Sequence, residues 1–427
     1  MNIPSRAADR ALWSLALCQM VMVAGHALSF PFFALYLTRV RGLGPAQAGA
    51  FMAASMLISA AGFAWGGDLS DVYGRKRVMA GSLFLRALLV LCLALAVARD
   101  WSVSMIFLIH SVSFFVGNFF FPAARSWIAD HHPAAGRVEA YGFLRMASNV
   151  GWAAGPALGG MLAAVSYPAL FIATSAVLGA CSAALPFMLG AERALMRPAQ
   201  RFSLPALLSP ALDRRYLFFT SGVLLISAVM AQLVAPLSMY ASAYGGISES
   251  RIGFLFSING AVVVLAQWPV TRLMRRARMS VSLVAGSLLY AAGYASVGSC
   301  RSFAAFAAAV VVISLGEVTV SPAIQTLSAN LAPERMKGRF AGFCGLMEHL
   351  GYAVGPLAGG LLQQRWGRGA WGFVSVAGIA AALGFFATGR MFSDEEEGLS
   401  AAQPVPAQSL GGKCSDRLIS AVFEVRT

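Results

Sequence analysis

Four ionisable side chains lie inside long apolar stretches of this 427-residue chain, where they could bind and release protons. Glu317 and His26 each lie about fifteen residues into such a stretch, and Glu348 directly precedes His349 in another. Because desolvation disfavours a charged carboxylate, a carboxyl group in apolar surroundings can hold a proton and lose it when water arrives. We therefore name these four residues as candidates for proton coupling. The alternative is structural, with neutral groups that hydrogen-bond to neighbouring helices.

Other catalytic chemistry finds little support in the sequence. Asp130, His131 and His132 form the one cluster of catalytic residue types, but they lie in a short polar loop that lacks a nucleophile. The six cysteines show no paired spacing and mostly fall in apolar stretches, which is typical of small core residues. We therefore predict that the chain is not an enzyme and binds neither a metal nor another cofactor.

The elements that carry these side chains are long and apolar. Apolar residues make up 58% of the chain, charged residues only 12%, and the mean hydropathy is +0.70. This composition excludes an ordinary soluble globular protein. At ~20 apolar residues per span it supplies roughly twelve membrane-spanning helices. A β-barrel is disfavoured because the apolar stretches show little alternation of apolar and polar residues.

Charged and Gly/Pro-rich breaks divide the chain into two sets of six apolar segments. Between the two sets lies a stretch with five arginines and three prolines, which is typical of a linker. We therefore predict an all-α membrane protein with twelve transmembrane helices in two pseudo-symmetric six-helix bundles. Its predicted parts are a cytoplasmic N-terminus (1–10), a first six-helix bundle (11–190), a cytoplasmic linker (191–215), a second six-helix bundle (216–391) and a disordered cytoplasmic tail (392–427).

Positive charge is distributed unequally between the two sets of alternate loops. The set that includes the N-terminus carries 19 Lys and Arg residues, and the other set carries 7. Because cytoplasmic loops are enriched in Lys and Arg, this asymmetry predicts a multi-pass protein of a bacterial-type inner membrane, with both termini in the cytoplasm. The same loops account for the formal net charge of +14, so we expect no nucleic-acid partner.

The two halves repeat each other at an offset of 200 residues. The sequence NVGWAAGPALGGML begins at Asn149, and HLGYAVGPLAGGLL begins at His349. Glycines four residues apart on a helix leave one side bare, so another backbone can approach closely. Duplicated six-helix halves with a binding site between them are a transporter architecture. The residues of this predicted helix-packing motif are Gly151, Gly155, Pro156, Gly159, Gly160, Gly351, Gly355, Pro356, Gly359 and Gly360.

A loop between the second and third apolar segments reads GDLSDVYGRKR, from Gly67 to Arg77. It resembles the GxLxDxxGRK signature of the major facilitator superfamily. The resemblance implies the twelve-helix fold and a conformational latch formed by Gly67, Asp71, Gly74, Arg75 and Lys76. The related loop 200 residues later is degenerate, so we assign no latch role to it. The alternative is that the loop is only a basic topology signal.

The glycine motif in the fifth segment resembles the signature of the twelve-helix drug:proton antiporters within that superfamily. This resemblance implies export of drug-like molecules in exchange for protons. Plain helix packing is the alternative, since the second half carries a copy of the motif. One departure is that the fourth segment has His110 where these antiporters usually have an arginine. The proton role of that arginine therefore cannot be transferred to this chain.

Several further residues are candidates for the wall of a substrate cavity. Arg145 and Asn149 lie one turn apart on a shared helix face, and Asn149 is the repeat partner of His349. Arg145 could instead extend to the lipid headgroups. The predicted cavity residues are His110, Arg145, Asn149, Trp152 and Tyr240.

The buried charges are divided by sign between the halves. Arg86, Arg125 and Arg145 fall in the first half, and Glu317 and Glu348 in the second. The sequence assigns no role to Arg86, while Arg125 is expected to extend to the headgroups. With such a cavity, an amphiphilic, zwitterionic or anionic substrate is at least as plausible as a cation.

These observations predict a monomeric secondary transporter that exports small amphiphilic, drug-like molecules by proton antiport through alternating access. Its expected partners are the small-molecule substrate, protons and the lipid bilayer. The alternatives are a sugar, amino-acid or other metabolite exporter of the same fold, a transport-derived membrane sensor and a membrane enzyme.

Overall fold

The computed structural model describes five ranges of the chain, whose regular secondary structure is helical, without a β-strand. The predicted linker (191–215) and tail (392–427) fall partly outside them. The described ranges are residues 6–131, 137–189, 207–274, 277–333 and 336–398.

Seven α-helices form the first half. α1 continues into a π-helical turn, Tyr36–Val40, and α4 and α5 follow each other so closely that they form a single passage. The helices are α1 (Arg6–Leu35), α2 (Pro45–Tyr73), α3 (Arg75–Ala98), α4 (Val103–Gly117), α5 (Phe120–His131), α6 (Arg137–Val165) and α7 (Tyr167–Met188).

Seven α-helices form the described part of the second half. A 3₁₀ turn, Ala231–Leu233, joins the first two into one passage. The helices are α8 (Arg214–Met230), α9 (Ala235–Gly245), α10 (Glu249–Met274), α11 (Met279–Val297), α12 (Phe303–Asn330), α13 (Lys337–Trp366) and α14 (Ala370–Gly389).

Within the described ranges, ten helical stretches are long and apolar enough to cross a membrane. The last of them, Gly338–Gly389, contains both α13 and α14. α6 is a further helix of 29 residues, about 43 Å long at ~1.5 Å per residue. Together these elements make six passages in each half. The predicted all-α fold of two six-helix bundles is therefore confirmed.

Equivalent helices of the two halves begin at the same residue type. Ser102 and Ser302 are 200 positions apart, and the side chain of each accepts a hydrogen bond from a backbone amide three residues later. Serine favours this position because its hydroxyl satisfies an amide that the first helical turn leaves without a partner. α4 and α12 therefore start in the same register of the 200-residue repeat.

The glycine stripe of α6 packs against α1 within the first half. A Cβ atom added at Gly155 would lie 2.5 Å from the carbonyl oxygen of Ala24, and Gly151 and Gly159 also face the backbone of α1. In the second half, Gly355 of α13 approaches the backbone of α8 in the same way. Glycine is required at these points because any side chain would push the two backbones apart.

The neighbouring face of the same motif joins the two halves. A Cβ atom at Gly160 would lie 2.5 Å from the carbonyl oxygen of Glu249 on α10, and one at Gly360 would meet the carbonyl oxygen of Pro45 on α2. We call the end of the molecule where α1 begins the terminal end, and the opposite end the far end. Since α2 and α10 both begin at the far end, the halves are held together there, backbone against backbone.

Polar contacts reinforce this closure at the far end. Arg39 Nη1 lies 2.6 Å from Glu249 Oε1, which forms an ion pair between the halves. The hydroxyl of Ser257 on α10 donates to the backbone carbonyl of Ala153 on α6 at 2.9 Å. The far-end closure therefore combines tight backbone packing with one ion pair.

The residues after α14 fold back along the terminal end of the second half. The backbone amide of Ser280 donates to Glu397 Oε2 at 2.8 Å, and Arg278 Nη2 lies 3.8 Å from Oε1 of the same residue. Glu397 is fully buried. It caps the first turn of α11, where unpaired amides and the helix dipole favour a negative charge.

This cap involves the first residues of the segment expected to be a disordered tail. Residues 392–398 instead pack against the second half, where the buried carboxyl group of Glu397 accepts from the backbone amide of Ser280. Residues 190–206 of the linker region and residues 399–427 of the tail lie outside the described ranges.

Candidate functional site

A cavity of about 250 Å³ lies between the two halves, near the middle of the helices. The first half provides most of its wall, and α13 of the second half completes it. His349 is exposed although it lies midway along α13, so the space between the halves is open at this level. The lining residues are Met22, Val23, His26, Phe30, Met56, Ser59, Arg86, Phe114, Asn118, Phe121, His349 and Tyr352.

Arg86 brings a permanent positive charge to the cavity wall. Its Nη2 lies 2.7 Å from Nδ1 of His26, the one hydrogen bond that it forms among the described residues. Because a guanidinium only donates, Nδ1 must accept, so the imidazole is neutral with its proton on Nε2. Arg86 is 6% exposed, and its Nε has no hydrogen-bond partner. The site thus holds a buried cation with unused donor capacity.

Aromatic rings surround the Arg86–His26 pair. Phe30 stacks on the imidazole with ring centroids 4.9 Å apart, and Phe114 lies edge-on to it at 5.4 Å. The guanidinium carbon of Arg86 is 5.5 Å from the ring centroid of Phe114, within cation–π range. Trp152, a predicted cavity residue, lies beside this group, with its ring centroid 6.3 Å from that of His26. The wall therefore presents apolar surface around one positive charge.

A glycine makes room for Arg86, and the second half reverses this arrangement. A Cβ atom at Gly117 would lie 2.6 Å from Cδ of Arg86. At the positions 200 residues later, glycine replaces the arginine, as Gly286, and Glu317 replaces the glycine. Each half thus has one ionisable residue at the related helix contact, and the two are of opposite sign.

Glu317 is held by neutral donors. Asn259, which is 1% exposed, donates to Glu317 Oε2 at 3.0 Å and to the hydroxyl of Ser314 at 2.9 Å. Among the described residues, no Lys, Arg or His forms an ion pair with Glu317. The amide fixes the position of the carboxyl group without neutralising its charge.

Arg145 connects the two halves toward the terminal end. Its Nη1 donates to Gln325 Oε1 of α12 at 2.7 Å. Arg145 also interacts electrostatically with Glu317 and with Glu348, which is half-buried on α13. The predicted cavity residue Asn149 is half-buried one turn further along α6. A cation of the first half therefore acts on both carboxyl groups of the second half that are candidates for proton coupling.

The residues that line this cavity include none of the five predicted cavity residues, and two of the five are packed inside their own half. Tyr240 is fully buried within the second half, where its hydroxyl donates to the carbonyl of Gly298 at 3.1 Å and its ring packs edge-on against Trp371. His110 is buried in the first half, and the ring of Phe114, 4.4 Å from it, separates it from the cavity. Both side chains are occupied by packing contacts within their own half.

The predicted latch residues meet at the terminal end. Arg75 forms ion pairs with Asp71 and with Asp130 of α5, whose Oδ2 is 3.2 Å from Nε. Arg75 Nη1 also donates to Ser70 at 2.7 Å. Gly74 separates α2 from α3 with φ +94°, a conformation that favours glycine.

The remaining latch residues flank this cluster. The hydroxyl of Ser70 donates to the carbonyl of Gly67 at 2.8 Å, and Lys76 follows Arg75 in the first turn of α3. The loop motif therefore forms one hydrogen-bonded unit with the end of α5.

Sequence reasoning missed three residues of these arrangements. It assigned no role to Arg86 or Asn259, and it placed Asp130 in a solvated loop. The repeat offered a signal for the first, since position 286 is glycine where position 86 is arginine, and 117 is glycine where 317 is glutamate. For Asp130 the only hint was that its loop lies at the same end as Arg75.

Two related six-helix halves around a partly charged cavity at mid-membrane define a membrane transporter. The family model of the Major Facilitator Superfamily matches residues 15–356 and 217–423. The chain belongs to the Major Facilitator Superfamily, as the loop signature had suggested, and it is not an enzyme. Its small-molecule substrate class and its membrane setting follow from this membership.

Curated relatives match nearly the whole chain. The multidrug resistance protein MdtH of Edwardsiella ictaluri is 24% identical over 374 residues, which are 85% of this chain and 89% of that protein. A Na(+), Li(+), K(+)/H(+) antiporter of Planococcus maritimus is 24% identical over 407 residues, 88% of this chain and 95% of that protein.

A solved structure shares the fold. A bacterial homologue of the human lysosomal transporter Spinster, in an inward-facing and unoccupied conformation, matches with a TM-score of 0.72. The match covers 92% of this chain and 98% of that chain at 14% sequence identity, so it bears on the fold alone.

Proposed function

We propose that this chain exports small amphiphilic, drug-like molecules in exchange for protons across a bacterial-type inner membrane. The name of the MdtH relative and the antiporter-like glycine motif on α6 support export of such molecules. The excess of Lys and Arg at the terminal end supports a cytoplasmic location for both termini. The unit of transport is one chain, because its two halves together enclose the cavity.

The contacts at the far end indicate which side of the membrane the cavity is closed to, given a cytoplasmic terminal end. With the terminal end in the cytoplasm, closure by Gly160 and Gly360 at the far end gives a state that is closed to the outside. Export then requires these contacts to separate while the terminal end closes. The unit of Asp71, Arg75 and Asp130 lies where it would stabilise one of the two states.

The observation that carries the proton step is that Glu317 and Arg145 belong to opposite halves. Asn259 holds the carboxyl group in the second half, while the cation that acts on it belongs to the first. When the halves move, the separation of Glu317 and Arg145 changes. The free energy of ionising Glu317 therefore depends on conformation, which is the condition for coupling proton uptake to transport.

His26 is a weaker proton carrier than Glu317. Its Nδ1 already accepts from Arg86, so a second proton on the ring would break that hydrogen bond and place two cations side by side. The name of the Planococcus relative suggests alkali-cation exchange. The positive charge of the cavity wall disfavours that exchange as well. The described cavity wall carries Arg86 and lacks a carboxylate that would hold a metal cation.

Transport by reconstituted protein tests the proposal. The full chain is placed in proteoliposomes with an internal pH-sensitive dye and given lipophilic cations, zwitterions and anions in turn. We expect one ligand class to move protons, and Glu317→Gln to abolish gradient-driven transport while substrate exchange without a gradient persists. Glu395→Gln, which removes an exposed carboxyl group outside the helices, is the matched control. Unchanged uphill transport in Glu317→Gln would remove Glu317 as the proton carrier.

A further inference from the structure

We propose that the cavity between the halves binds the anionic group of a small organic acid, with Arg86 as its counter-ion. This names the substrate class of the transporter proposed above and rests on that function for its role in the cell. The binding itself is a property of the cavity and can be measured without transport.

The first argument is that Arg86 lacks a counter-ion in the protein. Arginine stays charged, and a buried guanidinium is ordinarily paired, because removing an unpaired charge from water costs several kcal/mol. Among the described residues no carboxylate forms an ion pair with Arg86, and its partner is the neutral ring of His26. The carboxyl group of Glu317 instead accepts from Asn259 at 3.0 Å, and among the described residues neither Glu317 nor Glu348 pairs with Arg86. An anion from outside the chain would complete the site.

The second argument is that two residues of the cavity wall keep N–H donors without a partner among the described residues. Arg86 and His26 both line the cavity, and Nε of Arg86 has no hydrogen-bond partner. The imidazole proton on Nε2 of His26 donates to none of the described residues. A carboxylate, sulfonate or phosphate oxygen accepts from a guanidinium and an adjacent N–H group at the same time.

The third argument concerns the body of the ligand. Phe30 and Phe114 flank Arg86 and His26. The side chains of Met22, Met56 and Phe121 complete an apolar wall. The cavity of about 250 Å³ is slightly smaller than typical ligand pockets, which measure roughly 300–1,000 Å³. It fits an acid with one or two aromatic rings. A purely cationic ligand would bring its charge against Arg86 without a carboxylate in the described wall to offset the repulsion.

The second half does not duplicate this site. The position related to Arg86 is Gly286, and that related to Asn118, another cavity residue, is Val318. A single acid would therefore bind on the side of the first half, while Glu317 remains available for the proton. The same anionic chemistry could come from a free organic acid or from the phosphate of a lipid.

Three ligands with the same aromatic body test the proposal. The full chain in phosphatidylcholine nanodiscs is titrated calorimetrically with 2-naphthoate, 2-naphthamide and 2-naphthylmethylammonium. We expect the natural chain to bind naphthoate roughly ten-fold or more tightly than the amide, as hydrogen bonds to a charged group imply. Arg86→Met should remove this preference and leave the affinity for the amide unchanged. Arg86→Lys should retain part of it.

Two further variants guard against misfolding. Arg125→Met removes an exposed guanidinium that lies over Phe63, and it should keep the preference for naphthoate. Gly117→Ala keeps the charge but places a methyl group against the Arg86 side chain, so it should weaken naphthoate binding alone. Equal affinity for acid and amide in the natural chain, or an undiminished preference in Arg86→Met, would overturn the anion site.

The source of the anion is identified by repeating the titration with phosphatidylglycerol in the nanodiscs. Competition with naphthoate in the natural chain would assign the site to the headgroup of an anionic lipid, and unchanged affinity would assign it to a free acid. The titration uses no proton gradient. Glu317→Gln can therefore fail its transport test while the anion preference holds, and a proton-coupled transporter that prefers the amide would refute the anion site alone.

Discussion

Replacement of Gly160 by alanine should shift the balance between the two access states. In the structure a Cβ atom at this position lies 2.5 Å from the carbonyl oxygen of Glu249, whereas ordinary contact begins at 3.4 Å. The backbones of α6 and α10 must therefore separate by about 0.9 Å. Both are held in rigid helices, so we expect the far-end closure to lose about 1–3 kcal/mol, a typical cost of overpacking.

This cost corresponds to a change of roughly 5- to 150-fold in the equilibrium between the states. Spin labels at R99C and R301C, two exposed positions at the far end of opposite halves, measure it by double electron–electron resonance in a background without the natural cysteines. The fraction of longer distances should rise in Gly160→Ala.

The matched control lies on the same helix. Gly142 of α6 has nothing within 4 Å of an added Cβ atom, so Gly142→Ala should leave the distance distribution unchanged. Identical distributions for Gly160→Ala and the natural chain would show that the far-end closure does not depend on this backbone contact. An equal shift in Gly142→Ala would point to a general effect of alanine on α6.

Other substitutions test separate parts of the structure. Glu397→Ala removes the cap of α11 and should cost about 0.5–2 kcal/mol, seen as a lower Tm in scanning fluorimetry, while the exposed Glu395→Ala should leave Tm unchanged. Gly74→Ala forces a side chain into φ +94° and should lower Tm by the equivalent of about 1–2 kcal/mol; a neutral effect would mean that the turn relaxes. Asp130→Asn leaves Arg75 with Asp71 as its ion-pair partner in the described latch, and we expect slower transport with unchanged substrate affinity. A change in affinity alone would contradict a latch role.

Periodicity and repetition made the fold predictable from sequence. Apolar stretches of membrane-spanning length predict the helices, and the sequence repeat at an offset of 200 residues shows that the two halves are related. The sequence identified the glycine motif as a packing element. It did not show which glycines pack within their own half and which pack against the other half. Gly155 packs within its half while Gly160 packs across to α10. That assignment depends on how the helices rotate about their axes, which a spacing of four or five residues leaves open.

The site was less predictable because its key contacts join distant residues. Arg86 meets His26 across 60 positions, and Asn259 meets Glu317 across 58. Neither pair shows a local pattern. Tyr240 illustrates the opposite problem, since a large aromatic residue in an apolar segment can face the cavity or its own bundle. Here its hydroxyl finds an acceptor in Gly298, and the ring turns inward.

The far-end closure combines two forces that respond differently to the surrounding solution. Backbone packing at Gly160 and Gly360 acts over contact distance and is indifferent to dissolved salt. The pair of Arg39 and Glu249, with side chains 37% and 14% exposed, attracts over a longer range and is screened within about 8 Å at physiological ionic strength. Salt on that side of the membrane should therefore slow the approach of the separated halves more than it loosens them once closed. In the proposed orientation, with the far end outside the cell, higher ionic strength there would then slow the resetting step of the proposed export cycle.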